Sequence, residues 1–103
     1  MKTIILAFAT VALAGGAVLA VTTGNYSGHE LAASAHVTID QARAIALKAH
    51  PGKITDQELE KESGGSGLRY SFDITNAAKT YEVGVDAQSG AVLENKAEGK
   101  NPD

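Results

Sequence analysis

Between Ile39 and Val85 the apolar residues of this chain change their spacing once, and the change limits what the chain can fold into. Ile39, Ala42, Ile45, Ala46 and Ala49 recur at intervals of three and four, which lines one face of a helix. Leu68, Tyr70, Phe72 and Ile74 recur at intervals of two, which lines one face of a strand. Tyr81, Val83 and Val85 repeat that period after a turn at about Asn76-Ala77-Ala78, and Ala91-Val92-Leu93 makes a last short strand. One N-terminal amphipathic helix followed by three to four antiparallel strands predicts an α+β domain, with the helix laid across one face of a small sheet. The expected core is Ile39, Ala42, Ile45, Ala49, Leu59, Tyr70, Phe72, Ile74, Tyr81, Val83, Val85 and Val92.

Punctuation supports the helix. Thr38-Ile39-Asp40-Gln41 has the form of a capping box, in which the Thr38 hydroxyl accepts from the Gln41 N–H and the Gln41 side chain reaches back. Asp40 lies in the first turn, where the helix dipole favours negative charge. His50-Pro51-Gly52 ends the helix, because a residue before proline is driven out of the α region. Lys53 to Glu62 is less regular: Ile54 and Leu59 have opposite parity and share a strand face only if a bulge intervenes, or if the strand starts near Gln57.

Outside residues 36–96 the composition changes. Residues 1–20 combine Lys2, an uncharged stretch from Ile4 to Ala14 and a small-residue exit at Val18-Leu19-Ala20, the form of a secretory signal. Ala33-Ser34-Ala35 offers a second, more distant exit, and Thr3 to Val21 is just long enough to stay as an uncleaved anchor. Residues 21–35 are expected to be a mobile tail carrying the sequon Asn25-Tyr26-Ser27, and residues 97–103 a disordered one. There is no cysteine, so no disulfide, thiolate metal site or thiol nucleophile is available. Beyond residue 20, eight Lys and Arg face twelve Asp and Glu, a net of −4 that argues against nucleic acid or anionic lipid as partner. A core this thin without disulfides gains from a protein partner or a homodimer.

No constellation for catalysis emerges. Asp56, Glu58, Glu60 and Glu62 alternate along one strand face, and hard cations want several oxygen ligands. A strand spreads four such side chains over about 20 Å, so a solvated face, neutralised in part by Arg69, is the better account. Ser63-Gly64-Gly65-Ser66-Gly67 leads into a strand and lacks a lysine, unlike a phosphate loop. His36 and His50 bracket the helix about 20 Å apart, and His29-Glu30 has no second histidine in zincin spacing. Asp86, beside Ser89 and Gly90, is expected to accept backbone N–H groups in a turn closed by Gly90, with Ala87-Gln88-Ser89-Gly90 as a four-residue hairpin connection. No catalytic, cofactor-binding or metal-ligating residue is assigned, and no cofactor is expected.

The hairpin sequence Tyr81-Glu82-Val83-Gly84-Val85-Asp86-Ala87-Gln88-Ser89-Gly90-Ala91-Val92-Leu93 resembles the closing motif of the PepSY family, Y-x-V-x-V-D-A-x-[TS]-G-x-V-L. Val37 to Leu47 is similar to the family's opening helix, and Pro51-Gly52-Lys53-Ile54 to its helix-to-strand passage. Asp56-Gln57-Glu58 departs from the apolar alternation usual in the family and leaves the register of the first strand open. The resemblance singles out Thr38, Gln41, Pro51, Gly52, Tyr81, Val83, Val85, Asp86, Gly90, Val92 and Leu93 as structural positions. It implies a helix on a small antiparallel sheet without catalytic residues of its own. The family occurs in propeptides of thermolysin-type metallopeptidases and in bacterial exported and membrane proteins, so the resemblance implies a peptidase as partner. A general envelope-binding or dimerising module without a protease link, and a small metal or ligand binder, are the alternatives.

Overall fold

The computed structural model describes residues 26–98. A 3-10 helix, His29–Ser34, precedes α1 (Ile39–Ala49), and four strands follow: β1 (Lys53–Lys61), β2 (Leu68–Asn76), β3 (Lys79–Asp86) and β4 (Val92–Ala97). They form one antiparallel sheet in the order β1-β2-β3-β4, so each strand pairs with its sequence neighbour. The sheet carries α1 across one face, the α+β arrangement that the change of period requires. The signal or anchor expected over residues 1–20 and most of the C-terminal tail lie outside the described residues.

Local chemistry sets the helix ends. Thr38 Oγ1 accepts from the Gln41 N–H at 3.1 Å and the Gln41 side chain accepts from the Thr38 N–H at 2.9 Å, so both arms of the capping box are present. The helix stops at Ala49, with His50 extended as its C-cap. Pro51 O then accepts from Asn76 Nδ2 at 2.7 Å, which fastens the helix exit to the far end of β2.

The core lies between α1 and the even-numbered residues of β2. Tyr70, Phe72 and Ile74 are fully covered, with Leu59 from β1, Val83 and Val85 from β3, and Ile39, Ala42 and Ala46 from α1. The small residues of α1 allow close approach to the sheet. β1 starts at Lys53, and the register slips between Ile54 and Asp56. The bulge at Thr55 returns Ile54 to the side of Leu59, opposite Ile74, and so resolves the parity conflict.

Four core expectations shift. Val92 is 42% exposed because it lies in the irregular start of β4, where the register slips opposite Val85. Tyr81, Ile45 and Ala49 are only half-buried, Ile45 packing against the edge of the core. Tyr81 faces the end of α1 and stacks on His50, with ring centroids 3.8 Å apart. Leu68 and Ala87 are buried instead, where the end of the β3–β4 hairpin folds under the segment leading into α1.

The mobile tail expected over residues 21–35 is corrected for its described part. Ser27 bridges Glu58 in parallel, Leu59 N donates to Ser27 O at 2.9 Å, and Tyr26, Leu31 and Ala35 pack against the core. Ala97 likewise belongs to β4 instead of the tail, and Glu98 N donates to Thr80 O.

The β2–β3 connection is two residues, Ala77 and Ala78, with φ of 53° and 69°. Left-handed conformations cost an alanine about 1 kcal/mol or more, and turns of this form favour Asn-Gly. Replacing the pair with Asn-Gly is expected to raise unfolding stability by about 1 kcal/mol in urea titration, without changing the fold.

Candidate functional site

Among the described residues, the one acidic side chain buried by the fold is Asp86, 2% exposed at the end of β3. Period two places it on the sheet face opposite Val85, away from α1, directly across from Arg69 in β2. Its Oδ2 accepts from Gln88 N at 3.1 Å, Ser89 N at 2.8 Å and Ser89 Oγ at 3.1 Å, so the carboxylate folds the hairpin connection around itself. Oδ1 accepts from Ser66 N at 2.7 Å, across the gap to the β1–β2 loop. The glycine-rich loop therefore does meet an anion, and the anion is this chain's own carboxylate. A Cβ on Gly65 would lie 2.5 Å from Oδ1, which explains why the loop needs glycine at that position.

The backbone closes the same junction. Asp86 N donates to Ala91 O, and Gly90 N donates to Asp86 O from a left-handed φ of 81°. Ala87 N donates to Leu68 O, and Ala87 O accepts from both His36 N and Val37 N. Tyr70 Oη donates to Val37 O at 2.6 Å; burial, helped by the nearby Tyr26, pushes the Tyr70 phenol up to about 12 and keeps it a donor. Two loops and the approach to α1 thus converge on Asp86 and Ala87.

Burial acts to raise the Asp86 carboxyl, but the N–H groups of Ser66, Ser89 and Gln88 outweigh it and hold the group well below the usual carboxylate range. A carboxylate so stabilised is a poor proton acceptor, and Ser89 Oγ beside it gains no base to activate it. Because the folded value is depressed, the stabilisation is complete above the unfolded value of about 3.9 and is lost as pH falls through the folded value. Asp86→Ala is expected to cost about 3 kcal/mol at neutral pH, since buried N–H donors lose their acceptor. The deficit against the parent should shrink as pH is lowered below about 4, as read from urea unfolding at several pH values.

The open face of the sheet is acidic. Asp56, Glu58 and Glu60 of β1 stand beside Asp73, Glu82 and Glu94, with Glu62 just beyond β1. Arg69, 8% exposed, lies flat among them and reaches Glu94 at 3.3 Å and Glu62 at 3.6 Å. It can lie there because Gly84, on the adjacent strand, has no side chain: a Cβ would meet the Arg69 stem at 3.0 Å. The Arg69 Nε is buried without an acceptor. Among the described residues no three acid, histidine or cysteine groups converge to hold a metal ion.

Crowding leaves a mark on this face. Burial, then Glu94 and Asp73, raise the Glu82 carboxyl, and Glu98 is raised by burial and by its hydrogen bond to Asp73. Groups raised on folding contribute stability at low pH that is lost as pH climbs through their folded values. Glu82→Gln is therefore expected to stabilise the protein at neutral pH by a few tenths of a kcal/mol, and the gain should vanish below about pH 4 in thermal unfolding.

The other positions singled out from sequence are scattered through the frame. Thr38 and Gln41 cap α1, Pro51 and Gly52 join it to β1, and Val83 and Val85 fill the core beneath it. Val92 and Leu93 open β4, where Leu93 sits beside Gly65 over the Asp86 junction. His36, His50 and His29 stay apart: one leads into α1, one stacks on Tyr81, and one packs edge-on to Tyr26 at 6.0 Å. The contact between Asp86 and Ser66 was not foreseen, because 20 residues separate them and only the pairing of β1, β2 and β3 brings them together.

A protein-family model, the peptidase propeptide and YPEB domain, matches residues 37–96. No curated protein and no solved structure matches the chain.

Proposed function

Because the chain belongs to the PepSY family through residues 37–96, we propose that it is an exported, non-catalytic, propeptide-like module that binds a peptidase and modulates or inhibits it in the cell envelope or outside. The observation that carries this reading is the match to a peptidase-propeptide domain over nearly all of the ordered fold. The acid and serine of the closing hairpin are spent on each other and on backbone donors, which leaves binding as the use of the surface. Export draws on the signal-like residues 1–20, and among the described residues no helix is long and apolar enough to cross a membrane.

A hairpin held by Asp86 beside a strand edge left unpaired among the described residues suits capture of an extended segment, since main-chain pairing gives affinity and flanking side chains give choice. Tested against peptidases from its own compartment, the purified chain is expected to recover at least one of them in a pull-down and to change its activity or maturation. No complex across that panel, with rates unchanged, would remove this reading.

A further inference from the structure

The sheet has two edges, and they are treated differently. On β1, Leu59 N is already bonded to Ser27 O, Ser27 bridges Glu58, and the bulge between Ile54 and Asp56 distorts the remaining half. On β4, β3 and α1 are the elements in contact among the described residues, and the outer side is left open. Glu98 N donates inward to Thr80 O, and Lys96 and Glu94 oppose Glu82 and Gly84. Antiparallel ladders alternate, so Asn95 and Ala97 direct their N–H and C=O groups outward. Next to them lies Val92, the large apolar residue that the described fold leaves exposed, at 42%.

We propose that β4 pairs antiparallel with β4 of a second copy of this chain, about a two-fold axis at Asn95. An isologous contact must be complementary to itself; Asn95 is the outward-directed residue nearest the middle of β4, Ala97 being its last, and charge agrees with an axis there. An axis at Glu94 would set Glu94 against its own copy, and one at Lys96 would set lysine against lysine; either arrangement repels. With the axis at Asn95, its outward N–H and C=O meet those of the partner's Asn95. Glu94 then stands across from the partner's Lys96, and Lys96 from the partner's Glu94. Glu94 and Lys96 are on the open face, where Lys96 Nζ lies 3.3 Å from Glu94 Oε2 of its own chain; the Lys96 side chain is 69% exposed, so it can exchange that contact for the Glu94 of a second copy. The two sheets become one of eight strands, and Val92 is covered near the partner's strand end. The dimer does not depend on any peptidase; where β4 also serves the partner proposed above, the two compete for one edge.

The test is sedimentation equilibrium of the purified chain over a concentration series, with circular dichroism to confirm folding. A monomer–dimer equilibrium is expected, weakening as salt is added because exposed ion pairs are screened. Lys96→Glu puts like charges together at both symmetric contacts and is expected to weaken the dimer about tenfold or more. Asn95→Pro removes an outward N–H that the β3 ladder does not use, and is expected to leave a folded monomer. A chain that is monomeric at every concentration would overturn the proposal. So would a dimer whose dissociation constant is the same in Lys96→Glu as in the parent, a result readable even if the proline variant fails to fold. Neither outcome bears on peptidase binding, which the pull-down reads separately.

Discussion

A buried carboxylate with three backbone N–H groups aimed at it organises this small fold. Asp86 holds the β3–β4 connection through Gln88 and Ser89 and the β1–β2 loop through Ser66. Those two connections lie at the same end of the sheet, so one side chain fixes both hairpins relative to each other. Ala87, the next residue, takes the N–H groups of His36 and Val37 and so sets the entry to α1. A chain with no disulfide and, among the described residues, eleven buried apolar side chains has few other ways to fix its loops.

The same pairing that buries Asp86 on one row of the sheet builds the acidic face on the next. Gly84 lets Arg69 lie flat, and Arg69 offsets Glu62 and Glu94, while Asp73, Glu82 and Glu98 stay crowded. The crowding costs stability at neutral pH, as the raised Glu82 and Glu98 carboxyls record. Among the described residues, the β4 edge is the one left open to another strand, the edge on which the proposed self-pairing rests.

Much of this was legible in the residues. The change of period at β2 marks the helix and the strands, Thr38 and Gln41 mark the cap, and the opposite parity of Ile54 and Leu59 narrows β1 to a bulge or a start near Gln57, of which the structure has the bulge. The spacing from Asp86 to Gly90 gave the turn. Missing from the sequence were the contacts that need three dimensions: Ser66 on Asp86, Arg69 over Gly84, and His50 on Tyr81. The 3-10 helix at His29–Ser34 was invisible because it buries no residue fully and is anchored through backbone bonds, which have no hydrophobic period. Alternation places Val92 in the core, and the register slip at β4 turns it outward.

The fold depends on Asp86 being ionised and bonded rather than merely near a turn. A carbon-detected NMR titration of its side-chain carboxyl in the folded protein measures that directly. The structure predicts a signal that stays in the ionised position throughout the range in which ordinary aspartates titrate, until the protein itself unfolds in acid. A midpoint at about 3.9, the value of an unconstrained aspartate, would contradict it.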